Sequence, residues 1–255
     1  MSKKTDEIIS NFIKFIDKKN PTTKELVSEP FAAKVKLVHE VVSGDTIDGL
    51  SKKYKVPKAH IVALNPSIVG REDKLSLKQK VNIPYSPMDL VQQIGGKSIE
   101  EVIDAVAAAY GIDPAVFKQA LFEESKLDPK AVNPKTQATG LGQLMPDIVK
   151  MYGLTDPTDP VQNAAAAAAH MKSYLDLAKK VTPDGSADLI LWHALMMYNW
   201  GPGSFLNWYK GDRKTTPPIE ARFHPAKVFY GLGKNPPPEY QGFYNEYVRS
   251  LARTS

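Results

Sequence analysis

Apolar residues recur along the chain with two different periods. Val35, Leu37, His39 and Val41 fall at alternate positions, which predicts a strand. Ser43-Gly44-Asp45-Thr46 reads as a turn that also caps a helix, and Ile47, Leu50 and Tyr54 then follow helical spacing. Pro57 opens a second short helix bearing Ile61, Val62 and Leu64, Asn65-Pro66 ends it, and Gln79 to Pro84 returns as a strand. The order over residues 35–86 is therefore strand, helix, helix, strand. Upstream, Ile8, Ile9, Phe12, Ile13 and Ile16 predict an amphipathic helix ended by Asn20-Pro21.

Beyond Tyr85-Ser86-Pro87, which reads as a linker, the period becomes helical throughout. Ile99, Val102, Ile103, Val106 and Ala107 predict a helix closed by Gly111. Asp113-Pro114 starts another, with a cap residue followed by a proline at the first helical position. An alanine run, Ala164 to Ala169, predicts a closely packed helix. Leu189, Trp192, His193, Met196 and Met197 form a stripe running into Tyr198-Asn199, and Gly201-Pro202-Gly203 stops it. Residues 211–255 mix Pro217-Pro218 and Pro236-Pro237-Pro238 with seven aromatic residues. That is too aromatic for a disordered tail and predicts a segment wrapping the preceding domain or bordering its cleft. Four segments result: 1–34, 35–86, 87–210 and 211–255. The fold class is mainly α, α+β overall.

Length and composition narrow this picture only slightly. A chain of 255 residues suits one large domain or two modest ones, and 42% hydrophobic with 24% charged residues is ordinary for a globular protein. Cysteine is absent, which excludes disulfides and thiolate chemistry. No apolar run is long enough to predict a membrane span. The net charge of +5 is carried by scattered Lys and Arg without a nucleic-acid module, so a solvated basic surface is expected. His39, His60, His170, His193 and His224 have no ligand spacing, so neither a metal site nor a cofactor is predicted. In the opening stretch, Asn11, Lys14 and Asp17 interrupt the apolar run that a secretory signal needs.

Candidate chemistry centres on Glu124. Val116, Phe117, Ala120 and Leu121 form a helical apolar stripe. At about 100° per residue, Glu124 falls near its centre and Glu123 toward its edge. A carboxyl so placed is expected to be partly desolvated, which raises its pKa and suits it to protonate a glycosidic oxygen. Taken alone, such a residue reads far more readily as a helix-end Glu that snorkels or pairs with a Lys, and it is the motifs downstream that reverse this. Gly140 and Gly142 permit a close backbone approach to a ligand. Gln143 offers both donor and acceptor to an acetamido group or sugar hydroxyl.

Glu124-Ser125, Asn133-Pro134, Gly140-Leu141-Gly142-Gln143 and Tyr198-Asn199-Trp200-Gly201, in that order and spacing, resemble the soluble lytic transglycosylase family. Asp128 stands in place of an Asn, Gly142 in place of a Met, and Ala167 in place of a Gly. The resemblance implies a lysozyme-like helical domain acting on peptidoglycan. Glu124 would protonate the oxygen leaving C1 of N-acetylmuramic acid and then act as base toward the C6 hydroxyl, closing a 1,6-anhydro ring without water. Tyr198 would orient Glu124, and Ser125, Asn133, Gln143 and Asn199 would contact substrate. Asn163 is assigned no chemistry.

Val42 to Ile47, Tyr54, Asn65-Pro66 and Leu77 to Pro84 resemble the LysM family, with Lys78 where a Gly usually precedes Gln79. This implies a βααβ module whose groove for N-acetylglucosamine chains is lined by Gly44, Asp45, Thr46, Ile47, Asn65, Pro66, Ser67 and Ile68. A LysM-shaped spacer that binds no sugar is the other reading. The pairing suggests a phage lysin, held in the host cytoplasm until released to the wall or carried in the virion, where residues 1–34 would dock a virion protein. Two rivals stay open. One is a goose-type lysozyme or chitinase with Asp128 or Asp147 activating water. The other is a wall-binding protein whose catalytic domain is inactive.

Overall fold

A computed structural model describes residues 35–69, 74–94, 97–211 and 213–253. The helix expected within residues 1–34, and its docking role, lie outside the described residues. Two compact units divide at Ala169/His170.

In the first unit, strands β1 (Val35–Glu40) and β2 (Lys80–Pro84) pair antiparallel, with Leu37 opposite Ile83 and His39 opposite Val81. Between them run α1 (Ile47–Tyr54), α2 (Lys58–Ala63) and a 3₁₀ turn, Pro66–Ile68. Thr46 caps α1 by accepting the Gly49 N–H at 3.0 Å. Val41, Ile47, Leu50, Val56, Ile61, Val62, Ile68, Val81 and Ile83 form one core, packed partly by Leu37, Tyr54 and Leu75. Each large side chain buried here contributes about 1.5–3 kcal/mol. This is the βααβ module expected from the pattern.

The expected linker is instead a helix start. Ser86 precedes α3 (Pro87–Ile94), where Asp89 Oδ2 accepts both the Ser86 N–H at 2.7 Å and its hydroxyl at 2.8 Å. Lys36 of β1 pairs with Asp89 Oδ1 at 2.6 Å, so the segment is tied to the βααβ module. A full capping box, Ser98 with Glu101, opens α4 (Ile99–Tyr110). Asp113 opens α5 (Pro114–Ser125), accepting the Ala115 N–H at 2.8 Å with Pro114 in the first turn. After α6 (Pro146–Tyr152) comes α7 (Pro160–Val181), within which the unit division falls. Ala164 to Ala169 are all fully buried, so this stretch is enclosed on every face.

In the second unit, α8 (Ala187–Trp200) buries seven consecutive residues, Leu191 to Met197. It is followed by α9 (Pro202–Lys210), α10 (Ile219–Gly231) and α11 (Gln241–Leu251). Trp192 stacks on Tyr240 at 5.2 Å and meets the edge of Phe229 at 5.1 Å. The buried His193 ring bonds Thr182 Oγ1 at 2.9 Å and the Tyr240 hydroxyl at 2.8 Å. Arg222 pairs with Glu246, and Lys234 with Asp188. Residues beyond 210 are therefore part of this unit's core, not an extension laid over it. Two of their aromatic side chains, Phe229 and Tyr240, pack directly on Trp192. Among the described residues, no helix is long and apolar enough to cross a membrane.

Candidate active site

Glu124 lies in the last turn of α5. Val116, Phe117, Ala120, Leu121 and Ser125 of that helix are buried, and Glu124 itself is half-buried. Its neighbour Glu123 is occupied locally. One carboxylate oxygen accepts Gln119 Nε2 at 2.9 Å and the other pairs with Lys126 at 3.2 Å. Two successive left-handed residues, Lys126 (φ 57°) and Leu127 (φ 63°), then turn the chain out of the helix.

Residues 128–144 form a tightly bonded loop. Thr139 bridges Val132 on one side and Leu144 on the other. Ser125 Oγ, buried at the helix end, donates toward Leu141 O at 2.9 Å and Leu121 O at 3.2 Å. The side-chain amide of Gln143 donates to Ala131 O at 3.2 Å and Gly140 O at 3.1 Å. Asn163, at the start of α7 and fully buried, accepts the Gly142 N–H at 2.8 Å and donates to Thr139 O and Pro157 O, both at 2.9 Å. Gly140 sits at φ 78°, and a Cβ there would lie 2.2 Å from Asn163 Nδ2.

These contacts revise several expected roles. The Ser125 hydroxyl spends its proton on backbone carbonyls, so it ties α5 to the Gly-Leu-Gly-Gln turn. Both amide protons of Gln143 are similarly engaged, which leaves its Oε1 as the atom for a ligand. The close approach that requires Gly140 is to Asn163 and Pro157, not to a ligand. Asn133 is exposed, and its Oδ1 accepts the N–H groups of Lys135 (3.0 Å) and Thr136 (3.2 Å). Sequence reasoning missed Asn163. Its signal was a polar residue directly before an alanine run, Ala164 to Ala169.

Tyr198 lies in the last turn of α8, half-buried, with exposed Asn199 after it. Its ring meets the edges of His170 at 5.7 Å and Tyr174 at 6.4 Å, and stacks against His224 at 6.3 Å. Burial, with Lys227 nearby, lowers the His224 pKa to about 4, so this ring is neutral at neutral pH. The phenol ring is thus packed among His170, Tyr174 and the neutral His224.

In the βααβ module the expected groove residues divide. Ile47 and Ile68 point into the core. Asn65 is a buried clamp: its Nδ2 donates to Ile61 O at 2.7 Å and Asn82 O at 2.8 Å, while its Oδ1 accepts the Asn82 N–H at 2.8 Å. Asp45 is held by His39 Nε2 and the Val42 N–H, both at 2.8 Å, and those bonds lower its pKa. The side chains of Ile47 and Asn65 therefore belong to the fold, because each is used up on the inside of the module. Gly44, Pro66 and Ser67 are exposed. Ser67 and Ile68 border a cavity of about 330 Å³ that Lys74, Ser76 and Gln79 also line.

Of the candidate second acids, Asp128 caps the loop through the Lys130 N–H at 2.9 Å, and Asp147 is exposed in the first turn of α6. Among the described residues, no three His, Asp or Glu side chains are grouped to hold a metal ion.

Comparison with known proteins bears on both regions. Residues 101–218 match the family model of the transglycosylase SLT domain, and residues 39–84 match that of the LysM domain. A transglycosylase of Enterobacteria phage PRD1 is 33% identical over 102 residues, a stretch covering 40% of this chain and 37% of that protein. No solved structure matches the chain. The chain thus carries two known modules, a LysM domain followed by a transglycosylase SLT domain.

Proposed function

We propose that the protein is a peptidoglycan lytic transglycosylase of phage type, held to the wall by its LysM domain. The observation that carries this reading is Glu124. A half-buried carboxyl ends α5, and the turn beside it is locked by Ser125 and Asn163. Pre-set geometry of this kind lets one group act twice without reorganising between steps. The SLT match and the phage PRD1 transglycosylase support the same chemistry.

In the first step Glu124 gives its proton to the oxygen leaving C1 of N-acetylmuramic acid, and the C1–O bond to N-acetylglucosamine breaks. The substrate's own acetamido oxygen stabilises the positive charge at C1, so no second carboxylate is needed. In the second step the Glu124 carboxylate removes the proton of the C6 hydroxyl, and O6 bonds to C1. Glu124 ends as it began, and no water is consumed. Tyr198 bonds substrate through its hydroxyl. Gln143 Oε1, Asn133 Nδ2 and Asn199 hold sugar groups, and the exposed backbone around Gly44, Pro66 and Ser67 receives N-acetylglucosamine in the LysM domain. The protein acts at the end of infection or from within the particle. Recovery from purified virions would place it in the particle, with residues 1–34 as the docking segment.

The test is mass spectrometry of soluble fragments from purified peptidoglycan treated with wild type and Glu124→Gln. Anhydro-muropeptides from wild type alone are expected. Fragments heavier by one water would make the enzyme a hydrolase. Equal fragments from both proteins would remove Glu124 from the chemistry.

A further inference from the structure

The second unit contains a cavity of about 330 Å³ lined by Trp200, Ser204, Asn207, Trp208, Lys214 and Thr215. None of these residues has a part in the chemistry above. Two of its walls are indole rings, with centroids 6.3 Å apart and planes at 59°. Trp208 is fixed: it is 8% exposed, its Nε1 donates to Thr215 O at 2.7 Å, and the Arg213 guanidinium lies 5.7 Å from its ring. Trp200 is half-exposed at the end of α8, directly after Tyr198-Asn199. Ser204 and Asn207 stand three residues apart on α9, so they share one face of that helix.

A ligand for this pocket needs a flat apolar face for the indoles and a rim of hydroxyl or amide groups for Ser204, Asn207 and Thr215. A pyranose ring bearing an acetamido group has both. A wall peptide fits poorly. Its extended backbone requires a row of unpaired N–H and C=O partners, whereas α9 uses its own backbone groups internally. Its several carboxylates would meet only one cation among the lining residues, Lys214.

We propose that this pocket is an additional glycan site that holds one N-acetylated amino-sugar ring of the strand. The proposal rests on the reading that the protein acts on wall glycan. Its consequence is that strand length governs affinity, since a longer chain gains a contact set by Trp200.

The protein's own fluorescence tests it. All three tryptophans lie in this unit, and Trp192 is fully buried, so ligand-dependent emission comes from Trp200 and Trp208. The LysM domain has no tryptophan and is silent in this assay. Full-length Glu124→Gln protein is titrated with the N-acetylglucosamine tetramer and, separately, with a free wall stem peptide. A saturable emission change with the tetramer alone is expected. Added Asn207→Ala, which keeps both indoles, and added Trp200→Ala, which keeps Trp208 as reporter, should each weaken the apparent affinity about tenfold. Circular dichroism checks that each variant is folded; if Trp200→Ala is not, Asn207→Ala decides. No response to the tetramer, a response unchanged by Asn207→Ala, or a response to the peptide instead would each overturn the proposal. Saturable sugar binding by Glu124→Gln, with wild-type protein that also releases no wall fragments, would refute the lytic reading and leave this site standing.

Discussion

Removing the Asn163 side chain deletes three hydrogen bonds from a fully buried position, to Gly142 N, Thr139 O and Pro157 O. Each net bond is worth about 1 kcal/mol, and an amide-sized void adds to the loss, so Asn163→Ala should cost about 2–4 kcal/mol. Thermal or denaturant unfolding measures this. Wall-fragment release should fall by more than binding does, because the loop beside Glu124 loosens; a variant with wild-type turnover would show that the clamp does not position the carboxyl. Asn163→Asp is the sharper variant, since it keeps the acceptor for Gly142 and loses both donated bonds. The same contact explains why the sequence misled at two positions. Gly140 looks ligand-facing by composition, yet its missing Cβ makes room for Asn163, 23 residues away. Neither periodicity nor local spacing encodes a pairing of that separation. The half-buried position of Glu124 was legible because its signal is local: the apolar stripe and the cap of one helix.

At the scale of elements, the LysM domain was readable in order but not in the direction of its side chains. Alternation located both strands and helical spacing both helices. Which side of Ile47, Ile68 and Asn65 faces inward follows from the β1–β2 register and from the clamp between Asn65 and Asn82, and those are tertiary facts. Asn65→Ala should therefore destabilise the module by about 2–3 kcal/mol. A change in sugar affinity with unchanged folding would restore Asn65 to the groove. Lys78 gives the opposite expectation. It occupies φ 63°, a conformation costing a residue with a Cβ about 1 kcal/mol, and its N–H donates to Val41 O at 2.9 Å. Lys78→Gly keeps that bond and relieves the strain, so the melting temperature should rise by a few degrees. Helix α3 was missed because Ser86-Pro87 resembles a linker. The Ser-x-x-Asp spacing to Asp89 was the capping signal that should have outweighed the proline, which a first helical turn tolerates.

Across the whole molecule, the sequence placed a boundary at 210/211 where the second unit has none. Its aromatic residues were read correctly as too apolar to be left in water, but the partners they meet, Trp192 and His193, lie about fifty residues upstream. That joint makes the unit sensitive to acid. Burial, with Arg213 nearby, lowers the His193 pKa to about 4, well below the ordinary 6.5. The unfolded chain therefore binds a proton between pH 6.5 and 4 that the folded chain refuses, and stability falls as pH drops through that window. His193 alone accounts for about 3 kcal/mol by pH 4, and His224, lowered to about 4 by its own burial, acts in the same direction. Above pH 6.5 neither residue gives a slope. Denaturant unfolding followed by tryptophan emission, all of which arises in this unit, from pH 7.5 down to 4, should show this loss. In His193→Gln, which has no proton to gain, the slope should be shallower, leaving the His224 share. An unchanged slope in that variant would mean that the acid sensitivity arises outside the Trp192–Tyr240 core.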